Sequence, residues 1–140
     1  MSVYNTGDIA VFRNDTTGVF DTLHVTQKGY GTSSFENCNQ VNNVLNVFFT
    51  FSHINGGHIQ KIHNEAPTIG VTTYIVFPLT GLIGSMTING TFYNDVFVTS
   101  IDSTTIPSNN KSQIPWKLAY SNSNGFIRFY MVNGQTWSKL

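Results

Sequence analysis

What most constrains this chain is the alternation of apolar and polar residues in short runs, with almost no helical periodicity. From Val44 to Ser52, Leu45, Val47, Phe49 and Phe51 fall on one side of an extended backbone, the side expected to face a core. The stretch from Thr68 to Phe77 repeats the pattern through Ile69, Val71, Thr73, Ile75 and Phe77. Pro78 is expected to end that strand, because proline cannot donate to a central ladder. Asn89-Gly90, between Ser85–Ile88 and Thr91–Asn94, is the strongest short-range hairpin signal, and Asn133-Gly134 repeats it between Phe126–Val132 and Gln135–Trp137. Asn55-Gly56-Gly57 joins the Val44 strand to His58–His63, and Ser121–Gly125 joins Trp116–Tyr120 to the Phe126 strand. Ile9–Phe12 and Val19–Thr26 read as the earliest strands. About nine short strands with regular turn signals predict one all-β domain over residues 1–140, an antiparallel β-sandwich of jelly-roll or Greek-key type. Residues 27–43 and 102–115, rich in Gly, Ser and Asn, lack strand character and read as two long loops.

A chain of 140 residues can bury a core of its own. Cys38 is the only cysteine, so no intramolecular disulfide forms, and it reads as a small buried hydrophobe. Only 10% of residues are charged and the formal net charge is zero, against about 25% charged residues in an ordinary soluble domain. Phosphate recognition needs a basic excess, so nucleic acid is not an expected partner. No run approaches the roughly 20 apolar residues of a membrane span, and the opening Met1-Ser2-Val3-Tyr4 lacks the pattern of a secretory leader. Asn, Thr, Ser and Gly must then carry solubility, a surface style that suits the extracellular world.

Catalytic and metal chemistry find little material. His53 and His58 flank Ile54–Gly57, and a hairpin would set two imidazoles about 5 Å apart, so they are weak candidates to share an ion. No dense cluster completes such a site, and no cofactor is expected. Gly84-Ser85 is not part of a nucleophile elbow, and Cys38 has no preferred spacing to His24 or His53. The acids Asp8, Asp15, Asp21, Glu36, Glu65, Asp95 and Asp102 fall mostly in turns or at strand ends, where capping is their usual role. The expectation is a protein without enzymatic activity, a hydrolase with an unseen site being the remaining catalytic alternative.

Binding chemistry is better supplied. Trp116, Tyr120, Arg128, Tyr130, Asn133 and Trp137 crowd the last three strands and their turns, and aromatic faces beside amide and guanidinium donors suit sugars and protein hot spots. These residues are the predicted ligand-binding set, with core anchoring as the other reading of the tryptophans. The strand from Phe126 to Val132 is apolar on both faces, which suggests a second cover, supplied by another subunit. Gln135-Thr136-Trp137 matches the Gln-x-Trp signature of ricin-type trefoil lectins but occurs once, where a trefoil shows it about three times.

Thr22-Leu23, Thr26, the pair Asn37-Cys38 and the alternating strand from Val44 together resemble the opening of adenovirus-type fibre heads. The style of the whole chain is also similar to bacteriophage tail-fibre heads. The family pattern differs at His24, where the fibre heads carry Trp, and in its Pro-rich stretch before Asn-Cys, missing here. The resemblance implies a homotrimeric antiparallel β-sandwich that engages a host-cell surface receptor, glycan or protein, from the virion surface. A stand-alone carbohydrate-binding lectin is the alternative.

Overall fold

In the computed structural model, residues 3–34, 41–62, 65–72, 75–80 and 83–140 are described. The strands are β1 Ile9–Asn14, β2 Phe20–Ser34, β3 Val41–Thr50, β4 Gly57–Ile62, β5 Thr68–Thr72, β6 Ile75–Pro78, β7 Gly84–Ile88, β8 Thr91–Ser100, β9 Pro115–Ser121, β10 Gly125–Met131 and β11 Thr136–Lys139. They form one sheet in the order β6-β5-β4-β3-β2-β1-β11-β10-β9-β8-β7. The all-β antiparallel architecture is the one predicted, with eleven strands rather than about nine. The neighbour order is that of a meander closed by pairing the first strand with the last, not a Greek key.

Every pairing is antiparallel. Direction therefore reverses at each step round the sheet. It follows that β6 and β8 run opposite ways, whereas β7 runs the same way as β6. Two parallel neighbours cannot be joined by a short turn, and β6 and β7 are not paired. The sheet instead curls until β6 approaches β8, with Cα atoms within 8 Å, and leaves a seam without a ladder between them. The surplus strand β7 leaves the curl as half of the β7–β8 hairpin.

The concave side holds the main core. Phe12, Leu23, Val47, Phe49, Ile59, Ile69, Ile75, Phe77, Leu118, Tyr120 and Phe129 all point into it, as the alternation requires. Phe126 is its aromatic hub, with ring centroids 5.0 Å from Phe49, 5.1 Å from Phe129 and 5.2 Å from Tyr120. Such offset and edge-on contacts favour ring pairs beyond their area alone. A second, smaller cluster of Ile88, Tyr93, Val96, Ala119 and Ile127 lies outside this core. It forms because the β7–β8 hairpin folds over β9 and β10, its tip held where Asn89 Nδ2 donates to the Lys139 carbonyl at 2.9 Å. At that tip Asn89 and Gly90 both have positive φ, 50° and 81°, as the Asn-Gly signal predicts.

Several expectations are corrected. Within the stretch 27–43, the described residues 27–34 and 41–43 are strand and not loop: they belong to β2 and β3, which pair with Lys28 opposite Val47 and Tyr30 opposite Leu45. Thr68–Phe77 is not one strand but the hairpin β5–β6, and Pro78 pairs with Thr68 as part of an edge strand. The loop after β8 is tied down by two 3-10 turns, Ser103–Thr105 and Ser108–Asn110, and buries Ile106 and Ile114 in the main core. In β10 a bulge between Phe126 and Arg128 breaks the alternation, so Phe126 joins Phe129 and Met131 on the inner face while Ile127 enters the outer cluster. The second cover of that strand is therefore the chain's own hairpin.

Tyr4 closes the core at the end opposite that loop. The Phe126 N–H donates to its hydroxyl at 2.8 Å, and burial pushes the pKa of the Tyr4 hydroxyl upward. The neighbouring Gly125 has φ 77°, and a Cβ there would meet the Tyr4 ring and hydroxyl. In the same turn Asp95 accepts from Ser121 Oγ at 2.6 Å and from the Ser123 N–H at 2.7 Å. Tyr4→Phe should cost about 1–3 kcal/mol, the penalty for a buried N–H left without its acceptor, and Gly125→Ala at least as much, both read from urea melts. The Ser121 and Ser123 hydroxyls hold the Asp95 carboxyl below its usual range, and the Thr104 backbone N–H does the same for Asp102. A carboxylate depressed in the fold stabilises it above the unfolded pKa of about 3.9 and loses that contribution as pH falls through the folded value. Thermal stability should accordingly drop on acidification below about pH 4, and Asp95→Asn should make that drop shallower.

Candidate functional site

Four connections meet at one end of the curled sheet: residues 15–19, 51–56, 101–114 and 132–135. Barrel mouths of this kind are common ligand sites, because loops there can vary while the strands hold them rigid. A cup of about 320 Å³ lies between the connections. Asn14, Thr17 and Val19 line it from the first, Ser52 and His53 from the second, Ser112 and Gln113 from the third, and Gln135 with Trp137 from the fourth and the strand after it.

Two buried side chains fix its shape. Asp21, at the start of β2, lies under the second connection with its carboxylate filled by backbone N–H groups. Oδ1 accepts from Thr22 at 2.9 Å and Ser52 at 2.8 Å, and Oδ2 accepts from His53 at 2.7 Å and Ile54 at 2.9 Å. Charge-assisted bonds of this kind are the strong ones. Asn14 does the same for the first connection: its Oδ1 accepts from the N–H groups of Thr16 and Thr17, while its Nδ2 donates to Gln135 Oε1 at 3.1 Å. The His53 ring stacks on Trp137, with centroids 6.0 Å apart and planes 19° from parallel. Trp137 is 4% exposed, and its Nε1 is buried with no hydrogen-bond partner among the described residues. No lining residue carries a formal charge when His53 is neutral.

The predicted ligand-binding set is divided by the fold. Tyr120 and Trp137 are core residues, although Trp137 also reaches the cup. Trp116 is half-buried against the core, and Asn133 is exposed in the β10–β11 turn. Arg128 and Tyr130 do come together on the convex face, where Lys117 Nζ sits 4.8 Å from the Tyr130 ring centroid and the Arg128 guanidinium carbon 5.9 Å from it. Arg128 is already engaged, its Nε donating to Ser138 Oγ at 2.9 Å and its Nη2 lying 3.7 Å from Asp15. Sequence reasoning missed Asn14, Gln113 and Gln135 as site residues, and Asp21 as their support. Nothing local marks these polar residues, since only the meeting of the four connections makes them neighbours.

The histidine pairing is not formed: His53 stacks on Trp137, while His58 packs at a tilt against Phe48 and lies over Gly70. Among the described residues no group of three His, Cys, Asp or Glu is placed to hold a metal ion. Cys38, Glu36 and His63, and the Asn37-Cys38 pair of the fibre-head resemblance, lie outside the described residues. Among the described residues no helix is long and apolar enough to cross a membrane. No family model, no curated protein and no solved structure matches the chain.

Asp21→Ala should destabilise the protein by about 3 kcal/mol in urea unfolding, because backbone donors lose a buried charged acceptor. Asp21→Asn should cost nearly as much, since its amide N–H₂ would face backbone N–H groups.

Proposed function

We propose that the protein is a non-catalytic attachment domain, the receptor-binding head of a viral or phage fibre, which holds a particle to a host-cell surface receptor. The observation that carries this reading is the convergence of four connections at one end of a rigid, disulfide-free curled sheet. Binding surfaces of this design place variable loops on a fixed scaffold. The aspartates support the same reading. Asp8, Asp15, Asp21, Asp95 and Asp102 each accept hydrogen bonds that shape a turn or join neighbouring strands. The low charge fits a surface that recognises its target by shape, aromatic contact and neutral polar groups. The reading includes a homotrimer displayed on the virion surface or in the extracellular space. Exposed Ile9 and Val11 on β1, with Leu140 beside them, supply apolar surface for contact between copies.

Fluorescently labelled protein should bind susceptible cells saturably and be displaced by unlabelled protein. Light scattering should give three times the 15.6 kDa chain mass, and Val11→Asp should lower it. A monomer that ignores every cell type offered would overturn the reading.

A further inference from the structure

We propose that the cup between the four connections is a monosaccharide subsite that takes one neutral pyranose ring. This deepens the attachment reading and rests on it, since the sugar would be a unit of the receptor's glycan. The first argument is unspent hydrogen-bonding capacity. The Gln113 amide and the Ser52 and Ser112 hydroxyls line the cup and make no side-chain hydrogen bond within the protein. Gln135 uses only its Oε1, to accept from Asn14, so its Nε2 donors face no protein acceptor. Amides and hydroxyls present donors and acceptors together, and sugar hydroxyls need both at once.

The second argument is the Trp137 side chain at the wall of this cup, 4% exposed and locked in the core, which gives whatever sits there a fixed apolar backing. The third argument is charge. With His53 neutral, no cation awaits a carboxylate and no anion awaits an ammonium, because the carboxylate of Asp21 beneath is already filled by four backbone N–H groups. Acidic sugars and amino groups are therefore mismatched, and neutral ones are not.

Shape gives the fourth argument. The His53 ring, exposed and held flat by its stack on Trp137, offers an aromatic surface to the C–H face of a sugar. The cup's volume, about 320 Å³, is at the small end of ligand sites, which run from about 300 to 1,000 Å³, so one ring fits it better than a chain. Asp21 and Asn14 hold the surrounding connections in place before any ligand arrives, which lowers the ordering cost of binding.

The test uses the full chain labelled with ¹⁵N. The methyl glycosides of galactose, glucose, mannose and N-acetylglucosamine are titrated separately to about 10 mM, the range of single-sugar affinity, and sialic acid is titrated likewise. The readouts are the indole N–H resonances of Trp116 and Trp137, assigned with Trp116→Phe. We expect at least one neutral glycoside to move the Trp137 resonance saturably, and sialic acid to leave it in place. Gln113→Ala, at an exposed position, and Gln135→Glu, which keeps the oxygen that accepts from Asn14 but removes the Nε2 donors, should each weaken that binding about tenfold, with unchanged melting curves as the control for folding. Two outcomes overturn the subsite: no neutral glycoside moves the resonance, or sialic acid moves it as strongly. Labelled-cell binding separates this failure from that of the attachment reading. Cells bound equally by wild type and both glutamine variants, with Trp137 unmoved by any glycoside, would remove the subsite and keep attachment. A shifted Trp137 without cell binding would keep the subsite and remove attachment.

Discussion

The pairing of β1 with β11 is the contact on which the rest of the molecule depends. Phe12 lies opposite Lys139 and Asn14 opposite Trp137, so a strand from the start of the chain is inserted beside the last one. Without it the sheet would be two open meanders, β1 to β6 and β7 to β11, each exposing one face of apolar side chains. With it, one curved surface encloses Phe12, Phe49, Phe126 and Phe129 from both halves. Burial of that aromatic core is the main favourable term available to a chain with so few charges. The same pairing sets the strand directions, and these in turn decide that β7 must leave the curl.

The site inherits its order from this frame. Asn14 ends β1 and Gln135 precedes β11, so the pairing that closes the sheet also joins two walls of the cup. Asp21 begins β2 and secures the connection that carries Ser52 and His53. Ile114 anchors the third connection in the main core, and the Asn55 N–H donates to the Gln113 carbonyl at 2.9 Å. A polar cup thus rests on apolar plugs and on acceptors filled by backbone donors. The loop end is shaped by the fold and not by the loops alone.

Much of the fold was legible in the sequence, for identifiable reasons. Alternation reports which side chains share a face, so Val47, Phe49, Ile69, Ile75 and Phe77 were placed in the core correctly. Asn89-Gly90 marked its hairpin because few other dipeptides accept two successive positive φ angles. What failed was non-local. The bulge at Ile127 shifts one residue to the other face, and no local pattern signals it. The polar residues at 27–34 and 41–43 look like loop, yet they lie in the partner strands β2 and β3. Trp116 and Trp137 were grouped by nearness in sequence, whereas the cup gathers residues from Asn14 to Trp137 by the order of strands. Arg128 and Tyr130 were found together because a strand of alternating residues brings them to one face.

The seam between β6 and β8 bears on how the fold relates to the order of its chain. Around the whole ring, consecutive strands pair everywhere except between β6 and β7, and the ladder that closes the ring is the one between the two chain ends. The backbone N–H of Leu140 donates to the Val11 carbonyl, so the end of the chain lies against its first strand. A chain opened in residues 79–83 and rejoined from Leu140 to the segment before β1 would keep every ladder intact. It would run β7 to β11 and then β1 to β6, with the present first and last strands in its middle. The set of ladders is thus the same whether the cut falls between β6 and β7 or between β11 and β1.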